Sequence, residues 1–228
     1  MTVNETQDQE HQPIEETNTD SNENQDDESA EDSDAEQAPI NKTFRIGCMT
    51  FCLAAFVSFL WIWHHQTQFN DNYRKASFHM RNDEPELAIE AYQKAIKNKS
   101  RTIFLKNAPT AYNNLGDAYM HAGKYPQAIE TFKKVIQMSP DMAVGYVNLA
   151  TAYLMQNEPT NTREICLHAL QTFPKAARLH YNLACAYALT NEPQKALNSL
   201  ILAVDLNPEL KNTARQVDAL KHIVPKLP

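Results

Sequence analysis

Glycine is scarce in this chain, with four in 228 residues. That scarcity removes the glycine-rich loops that cradle phosphates. The four cysteines form no CxxC pair, so the usual redox and zinc spacings are missing as well. His79, His121, His168, His180 and His222 show no ligand spacing, and His64 and His65 are merely adjacent. No Ser, Cys or Lys stands in a recognisable nucleophile motif. The sequence therefore predicts no enzyme, no cofactor and no metal. Aromatic residues are absent before Phe44, and residues 1–41 contain no Lys or Arg but hold 14 of the 28 acidic residues. Such a stretch cannot bury enough apolar surface to offset its ordering entropy, so a disordered acidic tail is predicted over 1–41. The net charge of −7 belongs to that tail; from His65 onward, 19 basic against 14 acidic residues leave a net +5. The basic residues are scattered and lack interleaved aromatics, which argues against nucleic acid. Their densest run, Lys94, Lys97, Lys99, Arg101 and Lys106, reads as a wetted helix face near anionic lipid.

What is present begins with an uncharged run from Ile46 to Trp63. At 1.5 Å per residue its 18 residues span about 27 Å, close to the hydrocarbon thickness of a bilayer. Trp61 and Trp63 stand at one end, where interfacial aromatics belong. The run carries no polar face, as a buried core helix would, and no small-x-small cleavage site follows it. A single transmembrane helix is predicted, with flanks, over 42–66. Lys42 and Arg45 lie within five residues of the run, whereas Arg74 and Lys75 are about ten residues beyond it. The positive-inside rule then places the N-terminus in the cytoplasm and the rest across the membrane, which in a bacterium means a periplasmic domain; the opposite orientation stays open.

Beyond the run the chain repeats itself every 34 residues. Tyr112, Leu115, Gly116, Tyr119, Ala128, Phe132 and Pro140 mark one copy; Tyr146, Leu149, Ala150, Tyr153, Cys166 and Pro174 the next; His180, Leu183, Ala184, Tyr187, Ala196, Leu200 and Pro208 the third. Apolar or small residues at helical spacing predict a helix through Tyr112–Tyr119, broken at Gly123-Lys124, then a second helix over Tyr125–Met138 ended by Pro140. Gly116, Ala150 and Ala184 on the first helices, and Ala128, Thr162 and Ala196 on the second, fall where two helices must approach closely. One such pair cannot bury its apolar face alone, so the copies must stack. Cys166 replaces a large apolar residue and reads as a small core hydrophobe.

Aromatic-x2-Leu-small-x2-Tyr followed by small, large apolar and Pro resembles the tetratricopeptide repeat, whose period is 34. The resemblance covers 69–228 and implies an all-α solenoid. Its units are a degenerate copy at 69–102, copies at 109–142, 143–176 and 177–210, and a C-terminal capping segment at 211–228. In the degenerate copy, Asn72, Lys75 and His79 stand where aromatic, Leu and Tyr are expected, and six extra residues precede the next copy. The capping helix is expected over Asn212–Val224, with Ala214, Val217, Leu220 and Ile223 buried. In overall plan the chain resembles bacterial single-span tetratricopeptide proteins of the inner membrane.

In this family the first helix of each pair lines a concave groove. Asn114, Asn148 and Asn182 recur in phase there. The three are similar to the asparagine ladder that binds polypeptides in O-GlcNAc transferase; alternatively, Asn is simply common at this place in the repeat. Around them the expected groove residues are Asn113, Asp117, Met120, His121, Val147, Thr151, Leu154, Met155, Arg178, Tyr181, Cys185 and Leu189. With Arg178 as the only cation, a clamp for a terminal carboxylate is disfavoured, and an apolar or extended segment is the expected ligand. The resemblance thus implies a membrane-anchored module that binds a protein or peptide partner, as an adaptor in envelope assembly or secretion. A structural scaffold subunit, with homo-oligomerisation possible, and a non-catalytic accessory subunit are the alternatives.

Overall fold

The computed structural model describes residues 42–99 and 108–227, except the side chains of residues 42–46, 48, 98 and 99. The acidic tail and the insertion before the second copy therefore lie outside the described residues. Nine helices are described: α1 Lys42–Arg81, α2 Pro85–Lys99, α3 Ala108–His121, α4 Tyr125–Met138, α5 Ala143–Met155, α6 Pro159–Thr172, α7 Ala177–Leu189, α8 Pro193–Leu206 and α9 Leu210–Arg215, followed by 3-10 turns at Asp218–Leu220 and Val224–Lys226. Among the described residues there is no strand. Consecutive helices from α2 to α8 pack on one another, and the first helices α3, α5 and α7 also touch in sequence.

Each hairpin turn is made the same way. Asp83, Gly123, Asn157 and Asn191 hold φ of 58°, 68°, 59° and 58°. Gly and Asn tolerate this left-handed geometry best, and it is the usual way a helix ends. The backbone N–H one residue later reaches back five positions: Glu84 to His79 O at 2.9 Å, and Lys124 to Tyr119 O, Glu158 to Tyr153 O and Glu192 to Tyr187 O at 2.8 Å each. Pro126, Pro159 and Pro193 then open the second helices, where a missing N–H costs nothing. Asp83 in the same geometry shows that the degenerate first copy is a true repeat unit. Its apolar mass comes from Phe69, Tyr73 and Ala76 in place of Asn72 and Lys75. The Tyr73 ring stacks on Phe69 at 5.8 Å and meets Tyr92 edge-on at 5.5 Å.

The expected small positions are all buried. Ala76, Ala150 and Ala184 are fully buried on the first helices, as are Ala88, Ala128, Thr162 and Ala196 on the second. The Thr162 hydroxyl donates to Glu158 O at 3.1 Å, so its burial leaves no orphaned group. A Cβ added at Gly116 would stand 2.7 Å from Phe132 Cζ. Phe132 is itself fully buried and cannot swing away freely. Gly116→Ala should therefore destabilise the solenoid by about 1–3 kcal/mol through overpacking. Urea unfolding followed by circular dichroism reads this; an unchanged midpoint would show that the α3–α4 contact is looser than drawn.

Two sequence expectations are corrected. The predicted membrane helix and first repeat are not separate elements: α1 runs unbroken for 40 residues. No Gly or Pro stands between Gly47 and Pro85 to stop it. Within the polar stretch between the two regions, Thr67 Oγ1 donates to His64 O at 2.7 Å and Gln66 Nε2 to Asn70 Oδ1 at 3.2 Å. Among the described residues no helix is long and apolar enough to cross a membrane. The side chains of Ile46 and Cys48, part of the predicted span, lie outside the described residues. The capping helix is also different. It stops at Arg215, Val217 turns extended at φ −95° and ψ 118°, and tight turns follow. Those turns sink Leu220, Ile223 and Val224 together into the cluster formed by Ala184, Cys185, Ala196 and Leu200.

Candidate functional site: the first-helix face

The candidate site is the face made by α3, α5 and α7, and each of its three asparagines is hydrogen-bonded to the preceding first helix. Asn148 Nδ2 donates to Asn113 Oδ1 at 3.0 Å and Asp117 Oδ1 at 3.4 Å. Asn182 Nδ2 donates to Val147 O at 3.2 Å and Thr151 Oγ1 at 3.0 Å. Asn114 Nδ2 donates to Tyr73 Oη at 2.6 Å. The register is constant, because each amide reaches back to the preceding first helix. Thr151 Oγ1 in turn donates to Val147 O at 2.9 Å, which ties the α5 end of the contact together. Asn182 is only 5 % exposed, so this rung is a core hydrogen bond and not a free amide. Asn114 and Asn148 are half-buried. Val147 and Cys185 are buried too.

The other expected residues divide in two. Thr151, Leu154, Met155, Tyr181, Asn182, Cys185 and Leu189 converge on one cavity of about 330 Å³. Its far wall is Val217, Asp218 and Ala219, from the segment expected as a capping helix. Met155 and Leu189 stand exposed at 56 % and 47 %. Asn114, Asp117, Met120, Val147, Asn148 and Arg178 are not part of that cavity. Asp117, Met120 and Asn148 lie half-buried, and Arg178 and His121 are exposed. A second cavity, about 440 Å³ and missed from sequence, opens between α4, α5 and α6. Ile136, Leu149 and Ile165 contribute its apolar surface, and Lys133, Glu164 and His168 are among its polar groups. No motif in the sequence marks it.

The first-helix face is chemically quiet. Burial pushes the Cys185 thiol up to about 11 and the Cys166 thiol up to about 12, so both are neutral thiols at physiological pH. Burial also raises the Tyr181 phenol, with nearby Cys185 adding to it. Among the described residues no group of three or more His, Cys, Asp and Glu could hold a metal. Asp117 is the exception to this quiet, because burial raises its carboxyl above the usual range, partly offset by His121. A raised carboxyl means the folded state favours the proton. Its contribution to stability is therefore greatest at low pH and is lost as pH rises through the raised value. Asp117→Asn should stabilise the protein at about pH 7 relative to the unchanged chain, and the difference should shrink toward about pH 4. Urea midpoints of both proteins across that range check the sign. A difference that grows on acidification would refute it.

Residues 73–143 and 177–210 match tetratricopeptide repeat families. Together with the stacked hairpins and the phased turns, these matches place the chain in the tetratricopeptide repeat family. Solved structures of similar fold include residues 41 to the end of MamA from Desulfovibrio magneticus RS-1, at 20 % identity and TM-score 0.57, covering 70 % of this chain and 85 % of that one. A thermophilic tetratricopeptide protein of Thermus thermophilus shares 21 % identity at TM-score 0.54, over 69 % of this chain and 82 % of that one. YrrB, described as having an unusual peptide-binding site, shares 17 % identity at TM-score 0.50, over 68 % and 75 %. No curated protein matches the chain.

Proposed function

We propose that the solenoid is a polypeptide-binding module that lays an extended, apolar segment along α3, α5 and α7. The observation that carries this reading is the cavity in which Leu154, Met155, Tyr181 and Leu189 converge on the first-helix face. Two of its lining residues, Met155 and Leu189, are large apolar groups left in solvent beside it. Met adapts to varied apolar shapes, which suits a segment defined by chemistry more than by sequence. The peptide-binding description of YrrB, a protein of similar fold, agrees with this use of the fold.

The test is an array of short random-sequence peptides probed with the purified protein. Binding should favour peptides rich in apolar residues. Met155→Glu, which puts a charge where the ligand must exclude water, should abolish it. Lys133→Ala, on the side of the second cavity, should leave it unchanged. Equal binding by Met155→Glu would overturn the proposal.

We further propose that Ile46–Trp63 anchors the module in a membrane, with the N-terminus cytoplasmic and the repeats periplasmic if the host is a bacterium. An adaptor role in envelope assembly or secretion is what the resemblance to bacterial single-span tetratricopeptide proteins implies for a module so anchored. The support is the 18-residue charge-free run, together with the exposure of Phe51, Phe56, Phe59 and Trp63 at 76 %, 59 %, 62 % and 59 %. Large contiguous apolar surface of this kind marks a membrane or partner contact. A cysteine placed at Gln66 should react with an impermeant thiol reagent on intact spheroplasts and one at Gln37 should not. The reverse pattern would invert the topology, and fractionation of the full chain into the soluble pool would remove the anchor.

A further inference from the structure

The far wall of the first-helix cavity belongs to no repeat. Val217, Asp218 and Ala219 come from the chain after α9, where a regular capping helix would have continued straight. The chain doubles back here and is fixed in place. Leu220, directly behind the wall, is fully buried, and Ile223 and Val224 are buried beside it against Ala184 and Leu200. The wall is therefore a fixed part of the fold. It converts the open end of a groove into a pocket with sides on α5, on α7 and on the returning chain.

The lining sets what fits. Leu154, Met155, Leu189, Val217 and Ala219 are apolar, and the Asn182 Nδ2 donors are already engaged by Val147 O and Thr151 Oγ1. The one carboxylate in the lining, Asp218, is paired with Lys221. No unpaired charge is offered to a ligand, so a charged side chain would lose its hydration and gain no partner. We infer that the pocket between α5, α7 and Val217–Ala219 is an anchor site for one bulky uncharged side chain, aromatic or branched, of the bound polypeptide. The returning C-terminal segment thereby acts as a specificity element. This inference rests on the peptide-binding reading above and adds to it a fixed point at which the ligand's register is set.

The experiment follows methionine methyl resonances of the full chain in lipid nanodiscs, titrated with N-acetylphenylalaninamide and, separately, N-acetyllysinamide. The Met155 methyl should shift saturably with the phenylalanine amide and not with the lysine amide, while the Met138 methyl, away from the pocket, stays still. Ala219→Trp fills the pocket from its far wall and should abolish the Met155 shift. Val217→Asp, which leaves the volume but adds a charge, should weaken it several-fold and serves where the tryptophan variant does not fold. A silent Met155, an equal response to the lysine amide, or a full response in a folded Ala219→Trp protein would each overturn the inference. The two readings separate on the peptide array. If Ala219→Trp binds peptides as the unchanged chain does while Met155→Glu does not, the anchor pocket falls and the groove stands. If both variants bind normally, the groove falls with it.

Discussion

Leu220→Ala should destabilise the C-terminal repeat by about 2–5 kcal/mol, the range for truncating a buried leucine where the surroundings cannot collapse. Leu220 has no exposed surface and is the pin by which the returning chain grips α7 and α8. Removing it opens a cavity beneath Val217–Ala219 and also exposes Ala184, Ala196 and Leu200 at the end of the stack. Because a solenoid is stabilised repeat by repeat, the loss should appear as fraying from this end before the first repeats melt. Hydrogen exchange should show α7 and α8 losing protection while α3 and α4 keep theirs. Uniform loss across the chain would mean that the array unfolds as one block.

The second large effect concerns the asparagines. Asn182→Ala should cost about 1–3 kcal/mol, because a buried amide that bridges α5 and α7 is lost and its partners stay in place without it. Asn148→Ala should cost less, since its amide is half-buried and water can take over its bonds to Asn113 and Asp117. Equilibrium unfolding of the two variants side by side gives the order. An Asn182→Ala variant as stable as the unchanged protein would show that the phased asparagines are not structural, and would return them to the ligand.

The contrast between those two residues shows where sequence reasoning reached and where it stopped. The period of 34, the helix at Tyr125–Met138 and the close-packed places of Gly116, Ala128, Ala150 and Ala196 were legible, because each depends on side-chain size and helical spacing alone. The recurrence of Asn114, Asn148 and Asn182 was legible too, but its meaning was not. An amide that faces a groove and an amide that clasps the helix one repeat earlier have the same sequence spacing. Only the placement of Asn113, Val147 and Thr151 opposite them decides. The turn residues Asp83, Asn157 and Asn191 are a sequence signal as well, for they sit in phase with Gly123 and all tolerate a left-handed backbone. The unbroken α1 could have been read from the absence of Gly and Pro after Gly47. The returning C-terminal chain could not, since Thr213 to Leu220 contains no residue that forces a helix to end. Burial of Leu220, Ile223 and Val224 is a tertiary gain that local propensity does not register. The pocket that this return creates was therefore half visible, with its α5 and α7 sides predicted and its third side missing.

Under the proposed function a polypeptide binds on the first-helix face and not on the opposite one. The most direct test places a photo-crosslinking amino acid at Met155, beside the first-helix cavity, and separately at Gln137, in the cavity between α4, α5 and α6. Each protein is irradiated with the strongest-binding peptides of the array, and adducts are mapped by mass spectrometry. Adducts are expected from Met155 and none from Gln137. Adducts from Gln137 alone, or equally from both, would contradict the proposed function.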